Sequence, residues 1–219
     1  MKPVILINFK TYEEATAENA IRLARICERV AKDTDSDIRI AVQATDIFQV
    51  VHAVKIPVYA QHVDPVSYGK YTGFITPEAV KQAGATGTLL NHSEHRLRVD
   101  DLESSVKRAK ALGLTIVLCA NDPLMGQALA ALEPDFIAIE PPELIGGEVS
   151  VSSAEPEIIT EAVKRICGKK HCFKVLVGAG VHTDADIKKA VKLGAVGVLL
   201  ASGIATAKDP EKALRSLVS

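Results

Sequence analysis

Eight short apolar runs, separated by segments of helical periodicity, constrain this chain more than any other feature. They are PVILIN (3–8), IRIAVQ (38–43), PVYAQ (57–61), GTLLN (87–91), TIVLCA (115–120), DFIAIE (135–140), KVLVGA (174–179) and VGVLLA (196–201). Each is continuous, rich in branched aliphatic residues, and ends near a polar residue or a glycine. That is the pattern of a parallel strand buried on both faces. Between the runs, Leu23, Ile26, Cys27 and Val30 recur at helical spacing, as do Leu102, Val106 and Ala109. Thr76–Pro77, Asp122–Pro123 and Asp209–Pro210 each read as an N-cap followed by proline at the first helical position. Thr183 ahead of Asp184 and Asp186 reads as a further helix start, and Gly84, Gly113 and Gly194 read as helix stops.

Alternating strands and helices leave two architectures within the α/β class, a closed barrel and an open doubly wound sheet. Eight runs, with no GxGxxG after the first, favour a single (β/α)8 barrel domain over residues 1–219. The chain has 219 residues. Such barrels typically need ~250, so some helices must be shortened, and the stretch between the second and third runs has room for only a small one. With aromatics at 4% and no Trp, the core must be built from Val, Ile, Leu and Ala.

The net charge is −1 with both signs spread along the chain, which argues against a nucleic-acid or polybasic membrane surface. No apolar stretch approaches the ~18 residues a membrane span needs. The N-terminal MKPVILINFK leads into a strand and not to a cleavage site, so a cytoplasmic location is expected. Cys27, Cys119, Cys167 and Cys172 fit no zinc spacing and are expected to be reduced thiols.

In a barrel the chemistry sits at the C-terminal strand ends. Asn8 and Lys10 follow the first run, on one strand face. His92, Glu94 and His95 follow the fourth, and Glu140 ends the sixth. Gly178-Ala179-Gly180 and Ala201-Ser202-Gly203 follow the last two. Each has a plain reading: a solvated lysine, a core histidine bonded to a neighbour, an acid paired with a base, tight turns. His92 and His95 have the spacing of half a metal site, but no further ligands complete a set, so no metal is expected. Taken together, a lysine, a histidine and a glutamate converge beside glycine-containing loops whose backbone N–H groups would cradle a phosphate. The residues thus describe acid/base groups facing one end of a small phosphorylated substrate. Another phosphate-binding barrel enzyme, such as a phosphopentose epimerase, and a non-catalytic phosphosugar-binding protein are the alternatives. The first would want a metal set, and the second would not need a base.

Asn8-Phe9-Lys10, the HSE of NHSEHR, IEPPELIGG (139–147) and AQHVDPVSYGKYTG (60–73) resemble, in order and position, motifs of the triosephosphate isomerase family. The resemblance covers nearly the whole chain. It implies a TIM barrel that needs no cofactor and interconverts dihydroxyacetone phosphate and D-glyceraldehyde 3-phosphate through an enediolate. It implies Glu140 as the base and His92 as a neutral electrophile that moves protons between the substrate oxygens, the established chemistry of that family. Lys10 would supply positive charge, Asn8 would bond the substrate oxygens, and Glu94 would orient its neighbours. Segment 141–148 would be a lid, with Ile145 and Gly146 joining Gly180, Ala201 and Ser202 around the phosphate. A helix starting directly after His92 would bring its positive end to the ring. Loop 60–73 would reach across a subunit interface.

The chain departs from the family pattern at several places. Asn91 stands where Gly is usual, and His95 where Arg is usual. Ile145-Gly146-Gly147-Glu148 replaces Ile-Gly-Thr-Gly, Val177-Gly178-Ala179-Gly180 replaces Tyr-Gly-Gly-Ser, and Ala201-Ser202 replaces Gly-Gly. These changes and the short length resemble the compact archaeal version of the family, which implies a homotetramer in preference to a dimer.

Overall fold

The computed structural model describes residues 2–141, 156–167, 173–178 and 180–218. Eight parallel strands close into a barrel in chain order: β1 (Val4–Asn8), β2 (Asp37–Val42), β3 (Val58–Ala60), β4 (Gly87–Leu90), β5 (Thr115–Ala120), β6 (Phe136–Ile139), β7 (Lys174–Val177) and β8 (Gly197–Leu200). β8 pairs with β1, Val4 opposite Gly197, so no strand edge is left open. That approach is close enough that a Cβ on Gly197 would lie 2.0 Å from the Val4 carbonyl oxygen. Every apolar run overlies one strand, and the fold is a (β/α)8 barrel.

Nine helices flank the barrel among the described residues: α1 (Glu18–Thr34), α2 (Ile47–Ala53), α3 (Pro77–Gln82), α4 (Val99–Ala111), α5 (Pro123–Leu129), α6 (Pro156–Ile166), α7 (Asp184–Lys192), α8 (Ser202–Ala205) and α9 (Pro210–Leu217). Several are short, α2 among them. Thr76, Asp122 and Asp209 each accept a backbone N–H at the start of α3, α5 and α9. Thr183 and Asp186 form a reciprocal capping box at α7. The glycine stops at 84, 113 and 194 all have positive φ.

Strand alternation sorts the apolar side chains into two layers. Val4, Leu6, Ala41, Tyr59, Leu89, Val117, Cys119, Phe136, Ala138, Leu176 and Leu199 fill the barrel interior. The alternate residues, including Ile5, Ile7, Ile40 and Leu118, pack outward beneath the helices. At the N-terminal end of β2, Arg39 forks onto Asp37 at 2.9 and 2.8 Å and donates to the Tyr59 hydroxyl at 2.9 Å. Its guanidinium also lies 5.3 Å from the Phe136 ring centre, so this charge is paired as it closes that end of the interior. Continuing the inward alternation by two residues brings Asn8 after Leu6, Asn91 after Leu89, Glu140 after Ala138 and Gly178 after Leu176. The strand phase that fills the core therefore also delivers polar residues to the opposite mouth.

Two expectations are corrected. No helix starts directly after His92: a turn closed by His95 N–H to the His92 carbonyl (2.9 Å) comes first, and α4 begins only at Val99. The reason is local, because Asn91 is left-handed and its side chain accepts the Leu97 N–H, which holds the segment out of helical geometry. Nor are all four cysteines thiols. Cys27 and Cys119 are buried and free, but Cys167 is disulfide-bonded. An argument from redox compartment concerns average surroundings and does not decide the state of one sulfur. Cys172 lies outside the described residues.

Candidate active site

The site begins at the end of β1. Asn8 is buried, and its Oδ1 accepts the Lys10 N–H at 3.0 Å. The Lys10 carbonyl accepts from Gln61 Nε2 at 2.9 Å. These two bonds hold Lys10 at φ +47°, a left-handed conformation that side-chain-bearing residues adopt uncommonly. Its ammonium lies 2.6 Å from Glu94 Oε1, with the lysine side chain 13% exposed and the glutamate 58%.

The turn after β4 presents His92, which is buried. Its Nδ1 accepts the Glu94 N–H at 3.2 Å. A ring nitrogen that accepts a hydrogen bond leaves the other to carry the hydrogen, so this contact favours the tautomer with hydrogen on Nε2, although Glu94 Oε2 also lies 3.6 Å from Nδ1. Nε2 stands 3.4 Å from Glu140 Oε1, longer than a firm hydrogen bond. Acid hydrogen and carboxylate therefore face the same space without being used up on each other.

Glu140, 3% exposed, follows β6. Its Oε2 is buried with no hydrogen-bond partner among the described residues. Burying an unpaired carboxylate oxygen is costly, and such a group in a pocket marks a place where chemistry or a ligand is accommodated. Its walls are tight. A Cβ on Gly178 would lie 2.3 Å from Glu140 Cγ, so only glycine leaves room for this side chain. On the β5 side stands Cys119, whose thiol is pushed well above its usual pKa by burial first and by the adjacent Glu140 carboxylate second.

Asn8, Lys10, His92 and Glu140 line one part of a single pocket, and Gly178, Gly180, Ala201 and Ser202 line another. α8 begins at Ser202, and its first N–H groups have no partner within the helix. The proposed residues that the structure describes line this one cavity, except Glu94, which lines the adjoining hollow and is bonded to Lys10. Ile145 and Gly146 lie outside the described residues. Tyr12 and His182 also line the pocket; neither stands at a strand end, which is the signal that exposed the others. Gln61, which clamps Lys10, ends the third apolar run and opens the 60–73 motif, but nothing in that pattern ties it to Lys10.

A neighbouring hollow shares Asn8, Lys10, Tyr12 and His92 with this pocket and is also lined by Glu94, His62 and His95. The two imidazoles stack with centres 4.2 Å apart, and His62 Nε2 lies 3.2 Å from Asp64 Oδ1. Burial lowers the His62 pKa below its usual value, and His95 adds to this while Asp64 opposes it. Among the described residues, no three His, Cys, Asp or Glu side chains are grouped to hold a metal ion.

A family profile described as triosephosphate isomerase matches residues 3–218. Proteins named triosephosphate isomerase are similar to this chain over nearly its full length. The one from Methanobacterium bryantii is 50% identical over 217 residues, covering 99% of this chain and 96% of that protein. The one from Methanothermobacter thermautotrophicus is 49% identical over 99% of this chain and 95% of its own length. The one from Archaeoglobus fulgidus is 47% identical over 98% of this chain and 96% of its own.

Proposed function

Because the chain belongs to the triosephosphate isomerase family, we propose that it interconverts dihydroxyacetone phosphate and D-glyceraldehyde 3-phosphate with the following division of labour. Glu140 removes a proton from the carbon beside the carbonyl and returns it to the neighbouring carbon. His92, neutral and protonated at Nε2, donates to the carbonyl oxygen as the enediolate forms. It then moves a proton between the two oxygens and ends as it began. Lys10 provides positive charge beside the developing oxyanion, and Asn8 bonds the substrate oxygens. Glu94 orients Lys10 through their ion pair and His92 through its backbone N–H. The phosphate is held by backbone N–H groups near Gly180, Ala201 and Ser202. Ile145 and Gly146 belong to a lid that excludes water and so protects the enediolate from losing phosphate.

One observation carries this reading: the buried Glu140 carboxylate, with one oxygen unpartnered among the described residues, faces Nε2 of His92 at 3.4 Å. A group that only binds phosphosugar has no use for such a base. Every proton in the scheme is moved by a side chain, so the reading calls for no metal or cofactor. The test is a coupled assay on both triose phosphates, with and without a chelator. Activity that survives chelation supports the scheme, and activity abolished by chelation and restored by metal would overturn it.

The activity implies a place in glycolysis and gluconeogenesis and, with it, the cytoplasm. No helix among the described residues is long and apolar enough to cross a membrane. A homotetramer is the proposed assembly. Tyr68, Tyr71 and Phe74 are exposed on the loop after β3, and Leu124 and Met125 are exposed on α5, which gives two apolar segments for subunit contact. Sedimentation of the purified protein as a dimer or monomer would remove that assembly.

A further inference from the structure

Asn91 stands one residue before His92, buried, with φ +61°. Glycine would satisfy that backbone conformation alone. Asn91 does more. Its Nδ2 donates to the Cys119 carbonyl on β5 at 3.0 Å, and its Oδ1 accepts the Leu97 N–H at 3.1 Å. Its own carbonyl accepts from Arg96 Nη1 at 2.5 Å, and the same nitrogen reaches the Cys119 carbonyl at 3.4 Å. The segment carrying His92 and Glu94 is thereby closed from Asn91 to Leu97, and the closed loop is fastened to β5 at one carbonyl. That carbonyl belongs to the residue whose thiol faces Glu140.

We infer that Asn91 is a positioning residue for the isomerisation: it fixes the loop that presents His92 to the strand that backs Glu140, so that electrophile and base share one rigid frame. This rests on the roles proposed above for His92 and Glu140. Both side-chain bonds of Asn91 are made between buried or half-buried groups, where a lost partner leaves a donor or acceptor unsatisfied. Among the described residues of the turn, the other tie to β5 is Arg96, which reaches the same Cys119 carbonyl at the longer distance of 3.4 Å. Without Asn91 the turn keeps its backbone but loses the direct fastening that sets its distance from Glu140.

Asn91→Gly tests this cleanly, because it keeps the left-handed backbone and removes both side-chain bonds. The expected result is a fall in kcat of roughly 10- to 100-fold, the scale of a displacement of about 1 Å in a catalytic group, with KM changed by less than about threefold. Turnover is measured well below the melting temperature of the variant. In parallel, nitrogen-15 spectra of the histidine rings should show the His92 signals shifted or broadened, while those of the remote His52 stay in place. A residue that only stabilises the fold would lower the melting temperature yet leave kcat per folded molecule and the His92 signals as they are. That outcome overturns the inference. If Asn91→Gly does not fold, Asn91→Asp serves with the same expectations, since it keeps the acceptor for Leu97 and turns an oxygen toward the Cys119 carbonyl. The ring spectra need no substrate, so they test the position of His92 even if the wild-type protein fails the triose phosphate assay, which would sink the functional reading instead.

Discussion

Nε2 of His92 and Oε1 of Glu140 stand 3.4 Å apart across the barrel mouth, one carried by the turn after β4 and the other by the end of β6. One strand, β5, lies between their origins, yet the barrel's curvature turns both inward onto one volume. Shortening Glu140 to Asp would withdraw the carboxylate by about one methylene, and a displacement on the order of 1 Å is worth ~100-fold in rate. Glu140→Asp should therefore lose kcat by at least that factor with little change in KM. Steady-state kinetics in both directions checks it, and an undiminished kcat would remove Glu140 from the role of base.

Gly178 and Glu140 exclude one another's substituents. Because an added Cβ would lie 2.3 Å from Glu140 Cγ, Gly178→Ala must either shift β7 or push the carboxylate out of its place. The expected outcome is a fall in kcat of roughly 100-fold, with stability lowered by the ~1–3 kcal/mol typical of overpacking. Kinetics together with denaturant unfolding separates the two effects. An alanine variant with native turnover would show that the pocket has room to spare.

Lys10 is held by its own backbone, by Asn8 and Gln61, so truncating its side chain should leave the fold in place. Lys10→Ala is expected to weaken phosphate and substrate binding together. Inorganic phosphate should raise the wild-type melting temperature by mass action and raise that of the variant much less. Equal protection of both proteins would place the anion elsewhere.

His62 provides a stability dependence on pH. Its pKa is lowered in the fold from the ordinary 6.5, mainly by burial. The unfolded chain therefore takes up a proton first as the solution is acidified. The contribution is present in full above the unfolded value and is lost as pH falls below it. His62→Gln should flatten the melting-temperature profile between about pH 7 and pH 5. Asp64 and His95 face the ring, and the comparison is made with both retained. Parallel profiles for the two proteins would mean that the acid sensitivity arises from other groups.

The barrel is legible in the sequence because its strands are buried on both sides and read as uninterrupted apolar runs. Glu140 and Asn8 are legible for the same reason, each being the polar residue that ends such a run in the inward phase. Asn91 is visible in the letters only as an unusual residue before a histidine. Its left-handed backbone is not written in the letters, and its side chain is fastened to the carbonyl of Cys119, a residue 28 positions away. The closeness of Gly178 to Glu140 is hidden in the same way, since two strands must pair before either residue constrains the other. Where several contacts meet from distant segments, as at Lys10, periodicity has nothing to say.

The pairing of β8 with β1 joins segments from almost opposite ends of the chain. Contacts so far apart in sequence carry a large loop-closure cost, and chains rich in them fold slowly. Asn8 and Lys10 lie on one side of that seam, Ala201 and Ser202 on the other. A partly assembled barrel thus holds only half a pocket, however much helix it has acquired. Recovery of turnover during refolding should lag behind recovery of circular dichroism, and the enzyme's own activity becomes the clock for the last event in its folding.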